Sequence, residues 1–524
     1  MKTESYRKQL MEAKIFDSKI KSIDVTGAEK WFGYLVGPAG FALLNALIMG
    51  YINIYYTDVL KLTDPKVFKY GVIFLTIFPL ASRLFDGVMN LIMGIILDRT
   101  RSKQGKARPW ILISAPFITL SGILMFTIPK ASITVQLVWI VISFNLYFGM
   151  ASVMYIAGHN LMVPLSTRNT SQRGTLSVIS NIANTVITGI IVALIFPMIV
   201  MPMIGADKGK WIMLMSIVSI IALPLIFIEY YFTRERITEE SMSVVSEQKL
   251  SVKQQIKAVM TNKYWLLLAA YQLIFNFGAI LKNTSLIYYC NYVLGSYNDG
   301  ITQTMISVVG GFPMGVGMLA ILPLVKRFGN RNVTLAGFVL SVVGGVICWM
   351  FPTNMILVLT GQFIKNLGIV PCGFVFVALF ADVLDHIEWK SNIRCDGISS
   401  SIMIFIMTIS SGLSASLFNL MLGKSGKYIA PVYNAVTGVT QGFTQPDSIK
   451  NVFTFSFVGV EVVAHIILIL ILIFFNLEKE MPRVQSEIKE RQKSACEAKG
   501  EAWIDAEERA RLEQEEADDE VKRI

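Results

Sequence analysis

Long apolar runs, each cut off by a short polar stretch, recur along almost the whole chain. A run of about twenty apolar residues, rising about 1.5 Å per residue as a helix, matches the roughly 30 Å hydrocarbon core of a bilayer. Such runs lie near 31–56, 70–97, 110–128, 134–163, 174–203, 211–233, 264–293, 301–325, 333–352, 354–381, 397–423 and 452–476. The pattern predicts an all-α membrane protein with twelve transmembrane helices. Several runs exceed the length a crossing needs, which implies tilt or helices that protrude from the membrane.

The polar stretches between the runs alternate in charge. Those after runs two, four, six, eight and ten hold Arg99 to Arg108, Arg168 and Arg173, Arg234 to Lys263, Lys326 to Arg331, and Lys390 to Arg394. The opposite set is poorer in basic residues, with Lys61, Lys66 and Lys69 as a mild exception. Short basic loops stay on the cytoplasmic side. The expectation is therefore a multi-pass protein of the plasma (inner) membrane with both termini cytoplasmic. The stretch 234–263 is long and polar and halves the chain. It predicts a linker between a first six-helix bundle, 31–233, and a second, 264–477. The basic hinge LDRTRSKQGKARPW after run two has a fainter echo in LVKRFGNRNVTLAG after run eight, as parallel repeats of one bundle would give. Residues 1–30 form a polar, basic segment without the charged-then-apolar order of a cleavable signal. Residues 478–524 are charged and helix-prone, and read as a cytoplasmic tail, solvated or docked.

Composition narrows the function. The chain of 524 residues is 53% hydrophobic and only 16% charged, whereas soluble domains are about 25% charged. Its net charge of +10 is spread between apolar runs and not over one face, which fits topology and anionic lipid and excludes nucleic acid as the partner. The five cysteines show no metal-binding or disulfide spacing and read as small core residues. The chain carries no P-loop, no H-E-x-x-H and no nucleophile elbow, so neither an ATP-driven pump nor an enzyme is indicated.

Ionisable residues inside the apolar runs are costly there, and mark either structural ion pairs or a transport pathway. They are Asp86 with Arg83 one turn before it, Lys282, Lys365 and Glu461. Amides and aromatics suited to a polyol gather in runs one, four, five and seven: Asn45, Tyr55, Tyr56, Ser152, Tyr155, His159, Asn160, Asn181, Asn184, Asn276 and Asn283. His159 is open to two readings, a helix-end histidine held by backbone or a proton-linked group.

Three stretches resemble one known family. YYTDV at 55–59, RLFDGVMNLIMG followed by TRSKQGKARPWIL, and ADVLDHIEWKSNIRCDGIS at 381–399 are similar to the motifs of the glycoside–pentoside–hexuronide:cation symporters. That resemblance implies the major facilitator fold, two six-helix bundles and alternating access. It implies that Arg101, Lys106, Asp382, Asp385, Glu388 and Arg394 form a charged network that gates the cytoplasmic side. It also implies a coupling site at Asp86 with Arg83, where Asn90 stands in place of a second carboxylate. Neutral Ile156, Asn160, Asn181 and Thr408 stand where family members carry sugar-contacting or larger polar groups.

The expectation is a secondary active transporter, a symporter of a sugar- or glycoside-type solute. Asn45, Tyr155, Asn160, Asn181 and Lys282 are its substrate-binding candidates. No cofactor is expected; the coupling ion is sodium, with Asp86 as a ligand, or a proton. A non-sugar or amphipathic solute on the same scaffold, or a transport-inactive membrane sensor, are the other two readings.

Overall fold

The computed structural model describes residues 17–22, 24–100, 102, 104–167, 172, 175–176, 179–180, 187–236, 252–392, 396–425 and 428–498. It is almost entirely helical. In chain order the long helices are α1 (Glu29–Val59), α2 (Gly71–Arg99), α3 (Arg108–Phe126), α4 (Ile133–Ser166), α5 (Ile187–Val200 continued by Met201–Ile204) and α6 (Lys208–Tyr231). After a short linker helix, Val252–Met260, come α7 (Lys263–Leu294), α8 (Gly300–Phe328), α9 (Asn330–Met350), α10 (Met355–Ser391), α11 (Asp396–Lys424) and α12 (Asp447–Phe474). Among the described residues, ten helices are long and apolar enough to cross a membrane. The segments α5 and α8 stand at the places of the fifth and eighth apolar runs.

Local chemistry sets the starts. The side-chain oxygens of Asp207, Asn262 and Asn354 accept from backbone N–H groups in the first turns of α6, α7 and α10, which a helix cannot satisfy by itself. Pro109 opens α3, where its missing N–H costs nothing. The largest difference from the apolar pattern is α10, which runs ten residues past the predicted edge at 381. Its extension is amphipathic. Val383, Leu384 and Ile387 are buried against Leu477, Met481 and Val484 of a tail helix, Leu477–Ala498. So residues 477–498 of the predicted tail are docked, with the Glu478 carboxylate accepting from the backbone N–H groups of Asn330 and Arg331 and Glu487 accepting from the Trp389 ring at 2.6 Å.

The first six helices pack on one another, α6 against α1 and α3, and α4 against α2 and α3. The last six do the same, α10 against α8 and α9, and α7 against α11 and α12. Glycines let α9 and α10 touch through their backbones: a Cβ at Gly344 would sit 2.5 Å from the Gly361 carbonyl oxygen. The halves meet where α2 lies along α11 and α5 lies on α8.

Polar contacts differ between the two ends of the molecule. At the basic end, where the loops after α2 and α6 lie, contacts within the first half dominate among the described residues. Glu235 accepts from the backbone N–H groups of Lys106, Ala107 and Arg108 at 2.7–2.8 Å, and Arg236 pairs with Glu29 at 2.8 Å. At the far end they cross between halves. Tyr428 donates to Asp58 at 2.7 Å, Thr57 meets the Tyr288 hydroxyl at 2.7 Å, and Asn419 donates to Asn53 at 3.0 Å. A hairpin between α11 and α12, β1 (Val432–Asn434) and β2 (Val439–Gln441), completes this seal, with the Thr440 hydroxyl accepting from the Ala206 N–H at 2.9 Å.

Candidate functional site

The middle of α2 carries the coupling candidates. Arg83 and Asp86, three residues apart, share a helix face and form an ion pair of 3.0 Å. The Arg83 guanidinium also lies 4.0 Å from the centre of the Phe148 ring, so one face of the ion pair is aromatic. Asp86 is 2% exposed, and while Oδ2 takes Arg83, Oδ1 is buried without a hydrogen-bond partner among the described residues. Asn90 turns its amide back onto the Asp86 carbonyl at 2.8 Å. Gly149 of α4 makes room for this carboxylate, since a Cβ there would lie 3.2 Å from Oδ1 and 2.6 Å from Phe85.

Arg83 reaches a cavity of about 70 Å³ between the two halves. Asn53 and Tyr56 of α1 line it on one side, Thr284 of α7 and Ser411 of α11 on the other. The Tyr56 hydroxyl is buried there without a partner among the described residues. A space this small is below the ~300 Å³ of an ordinary ligand pocket. It is the closed apex under the far-end seal.

Of the predicted residues, Arg83 and Tyr56 line this cavity. Asn45 is partly exposed on α1, Asn160 is exposed on α4 beside exposed Ile156, and Asn181 lies outside the described residues. Tyr155 is 1% exposed, and its hydroxyl goes to Glu229 of α6 at 2.5 Å. The same carboxylate takes His159 Nδ1 at 2.6 Å, so this histidine is held by a side chain and not by backbone. Lys282 is partly exposed on α7 and turned to the interior of the second half, beside Lys365 and Glu461.

The gating candidates are split. Arg101 and Arg394 lie outside the described residues. Lys106 belongs to the Glu235-bound turn. Asp382, Asp385 and Glu388 lie on the α10 extension beyond its apolar stretch. Burial, with Asp385 and Glu478 nearby, pushes the Asp382 carboxyl up to about 6.

Sequence reading passed over Asp58 and Glu229, both almost fully buried. Each stands within a turn or two of the end of its apolar run, where a charge looks like a loop residue. The tyrosines on the facing helices were the available signal, since a buried carboxylate needs donors.

The matches are of one kind. Residues 33–479 fit the family of MFS/sugar transport proteins. This chain belongs to that family. Among relatives of this transporter, the isoprimeverose transporter of Lactiplantibacillus pentosus is 26% identical over 88% of this chain and 91% of its own. A putative 2,3-dihydroxypropane-1-sulfonate exporter of Escherichia coli strain K12 is 26% identical over 88% and 95%, and a putative sulfoquinovose importer of the same strain is 24% identical over 75% and 81%. The crystal structure of a bacterial homologue of the human lysosomal transporter Spinster aligns over 88% of this chain and 99% of that one, at 12% identity and a TM-score of 0.55. A POT family transporter aligns with a TM-score of 0.52 at 13% identity over 87% and 96%. The fold of this MFS transporter is thus the major facilitator fold, and its membership makes it a multi-pass membrane transporter of small molecules and not an enzyme.

Proposed function

We propose that this MFS transporter moves a sugar-type solute, a pentose-containing glycoside or related polyol, by alternating access of two six-helix units, 31–233 and 264–477. The carrying observation is the arrangement of polar contacts. Buried side chains of the two halves are bonded across the far end, and a small, mostly apolar cavity that Asn53, Tyr56, Arg83, Thr284 and Ser411 reach lies between the halves beside Asn53 of that seal. One sealed end is what a rocking-bundle carrier needs in one of its two states. With the basic end on the cytoplasmic side of the inner membrane, as the loop charges favour, this state faces inward. The termini are then cytoplasmic, and the acidic α10 extension and the basic loop after α2 close that side in the other state.

Asp86 is the coupling carboxylate of this reading. Sodium wants several oxygens around it. One Asp86 oxygen is taken by Arg83, which leaves a single carboxylate oxygen for an ion. A proton needs only the unpartnered Oδ1, so the geometry favours proton over sodium coupling. The names of the relatives support a glycoside over an unrelated solute; two of them name organosulfonates, anionic polyols that Arg83 would also suit.

The test is uptake by proteoliposomes of labelled isoprimeverose, sulfoquinovose and a hydrophobic cation as control, each under an imposed pH gradient and then a sodium gradient. Accumulation of a sugar driven by the pH gradient and lost in Asp86→Asn is expected. Transport of none of the sugars, or a sugar uptake that Asp86→Asn leaves intact, overturns the reading.

A further inference from the structure

Inside the second half, away from Asp86, four helices bring together charges that do not balance. Lys365 of α10 is fully buried and pairs with Glu461 of α12, itself 3% exposed. That pair is neutral and complete. Lys282 of α7 adds a second amine beside both, within reach of a hydrogen bond to Lys365. The other titratable groups that face this amine do not offset it. His465 of α12 spends Nδ1 on the Ser341 hydroxyl at 2.9 Å, and Cys348 of α9 is a buried thiol. On the other face of α7, α11 offers only the hydroxyls of Ser410 and Ser414, bonded to the carbonyls of Leu273 and Phe277. At its far end, α1 offers Asn53 and Thr57 to Tyr288. Two lysines therefore share one carboxylate.

The chemistry of that juxtaposition is restrictive. An ammonium has three donors and no lone pair, so two charged lysines cannot bond to each other; one amine must be neutral to accept. A second buried positive charge without a counter-ion is strongly unfavourable. Lys365 is sealed against the Glu461 carboxylate. Lys282 is the one with exposure and the one without a carboxylate. The cluster also holds an unused acceptor: Gln362 is fully buried, its Nε2 lies 3.7 Å from Cys348 Sγ, and its Oε1 has no partner among the described residues. Close packing of α9 on α10 fixes where Lys365 stands: a Cβ at Gly344 would be 2.5 Å from the backbone nitrogen of Lys365.

We propose that Lys282 is a proton-carrying group of the transport cycle, loaded and unloaded against the fixed Lys365–Glu461 pair. The step is a simple protonation. A proton from water adds to the lone pair of the neutral Lys282 amine to give the ammonium, and leaves to water when the halves have rocked. No other bond changes. The loaded form carries one positive charge too many for the closed interior, so it favours the arrangement in which Lys282 reaches water. This rests on the reading of the chain as a driven transporter, and places a second protonation site in the half that lacks Asp86.

Two measurements test it. In proteoliposomes with isoprimeverose as probe, Lys282→Gln should lower accumulation driven by a pH gradient by about tenfold or more, and solute exchange without a gradient by far less. Lys282→Arg, charged at every working pH, should also lose driven accumulation. A Lys282→Gln protein that accumulates solute as the wild type does overturns the proposal. The second measurement uses no solute: apparent unfolding temperature in detergent from pH 6 to 10. The wild type and Asp86→Asn should share a pH-dependent step that Lys282→Gln lacks. If the step survives in Lys282→Gln, the proposal fails even where the choice of solute was right. If the step depends on Lys282 while no sugar moves, the proton site stands and the sugar reading falls.

Discussion

Single carboxylates in this protein are distinguished by how much of their hydrogen bonding the fold completes. Glu235 is saturated by three backbone N–H groups, while Asp86 keeps one oxygen bare. Asp382 is a third case, partly buried near two other acids. Its folded-state pKa of about 6 lies above the ordinary 3.8. Between those values the folded protein holds a proton that the unfolded chain has released. Stability therefore falls as pH rises through that window and stays lower above it. Asp382→Asn should raise the unfolding temperature at pH 7.5, by a gain of about 1 kcal/mol after allowance for screening, and flatten its dependence on pH from 4 to 7. A melting series at those pH values checks both.

At the scale of elements, the far-end seal is made by helix termini. The end of α1 contributes Asn53, Thr57 and Asp58, the end of α7 Tyr288 and Tyr292, and the end of α11 Asn419 with Tyr428 just beyond it. A bond from a neutral hydroxyl to a buried carboxylate contributes roughly 1.5–3 kcal/mol. Tyr428→Phe should open the far side about tenfold more often. Labelling of a cysteine placed at Ser411 by a membrane-impermeant reagent from outside would show it; an unchanged rate would mean that Tyr428 does not hold the seal.

The helices themselves were easy to read from sequence. The predicted edges of the runs near 264–293 and 397–423 lie within a residue or two of α7 and α11, because runs of leucine, isoleucine and phenylalanine leave no alternative to a spanning helix. What failed was pairing. Tyr155 looked like a sugar-facing aromatic, yet it belongs to Glu229, a partner 74 residues away on another helix. Lys282 and Lys365 were visible as costly charges, but that they share Glu461 follows only from the packing of α7, α10 and α12. The hairpin also went unread, since two three-residue strands between α11 and α12 leave almost no alternation to detect.

Across the whole molecule, that hairpin belongs to one half by sequence and touches the other. Thr440 accepts from Ala206 at the end of α5, and Lys210 at the start of α6 lies 5.9 Å from the centre of the Tyr433 ring. It must lift off whenever the far side opens. On the orientation proposed above, with the basic end cytoplasmic, the hairpin is an external handle through which the cycle can be arrested without entering the cell. Cysteines at 206 and 440 should stop uptake when oxidised and release it on addition of a reductant, with a variant carrying one of the two unaffected. A binder raised against the tip at Val436, which is 95% exposed, would act as a clutch on the same motion.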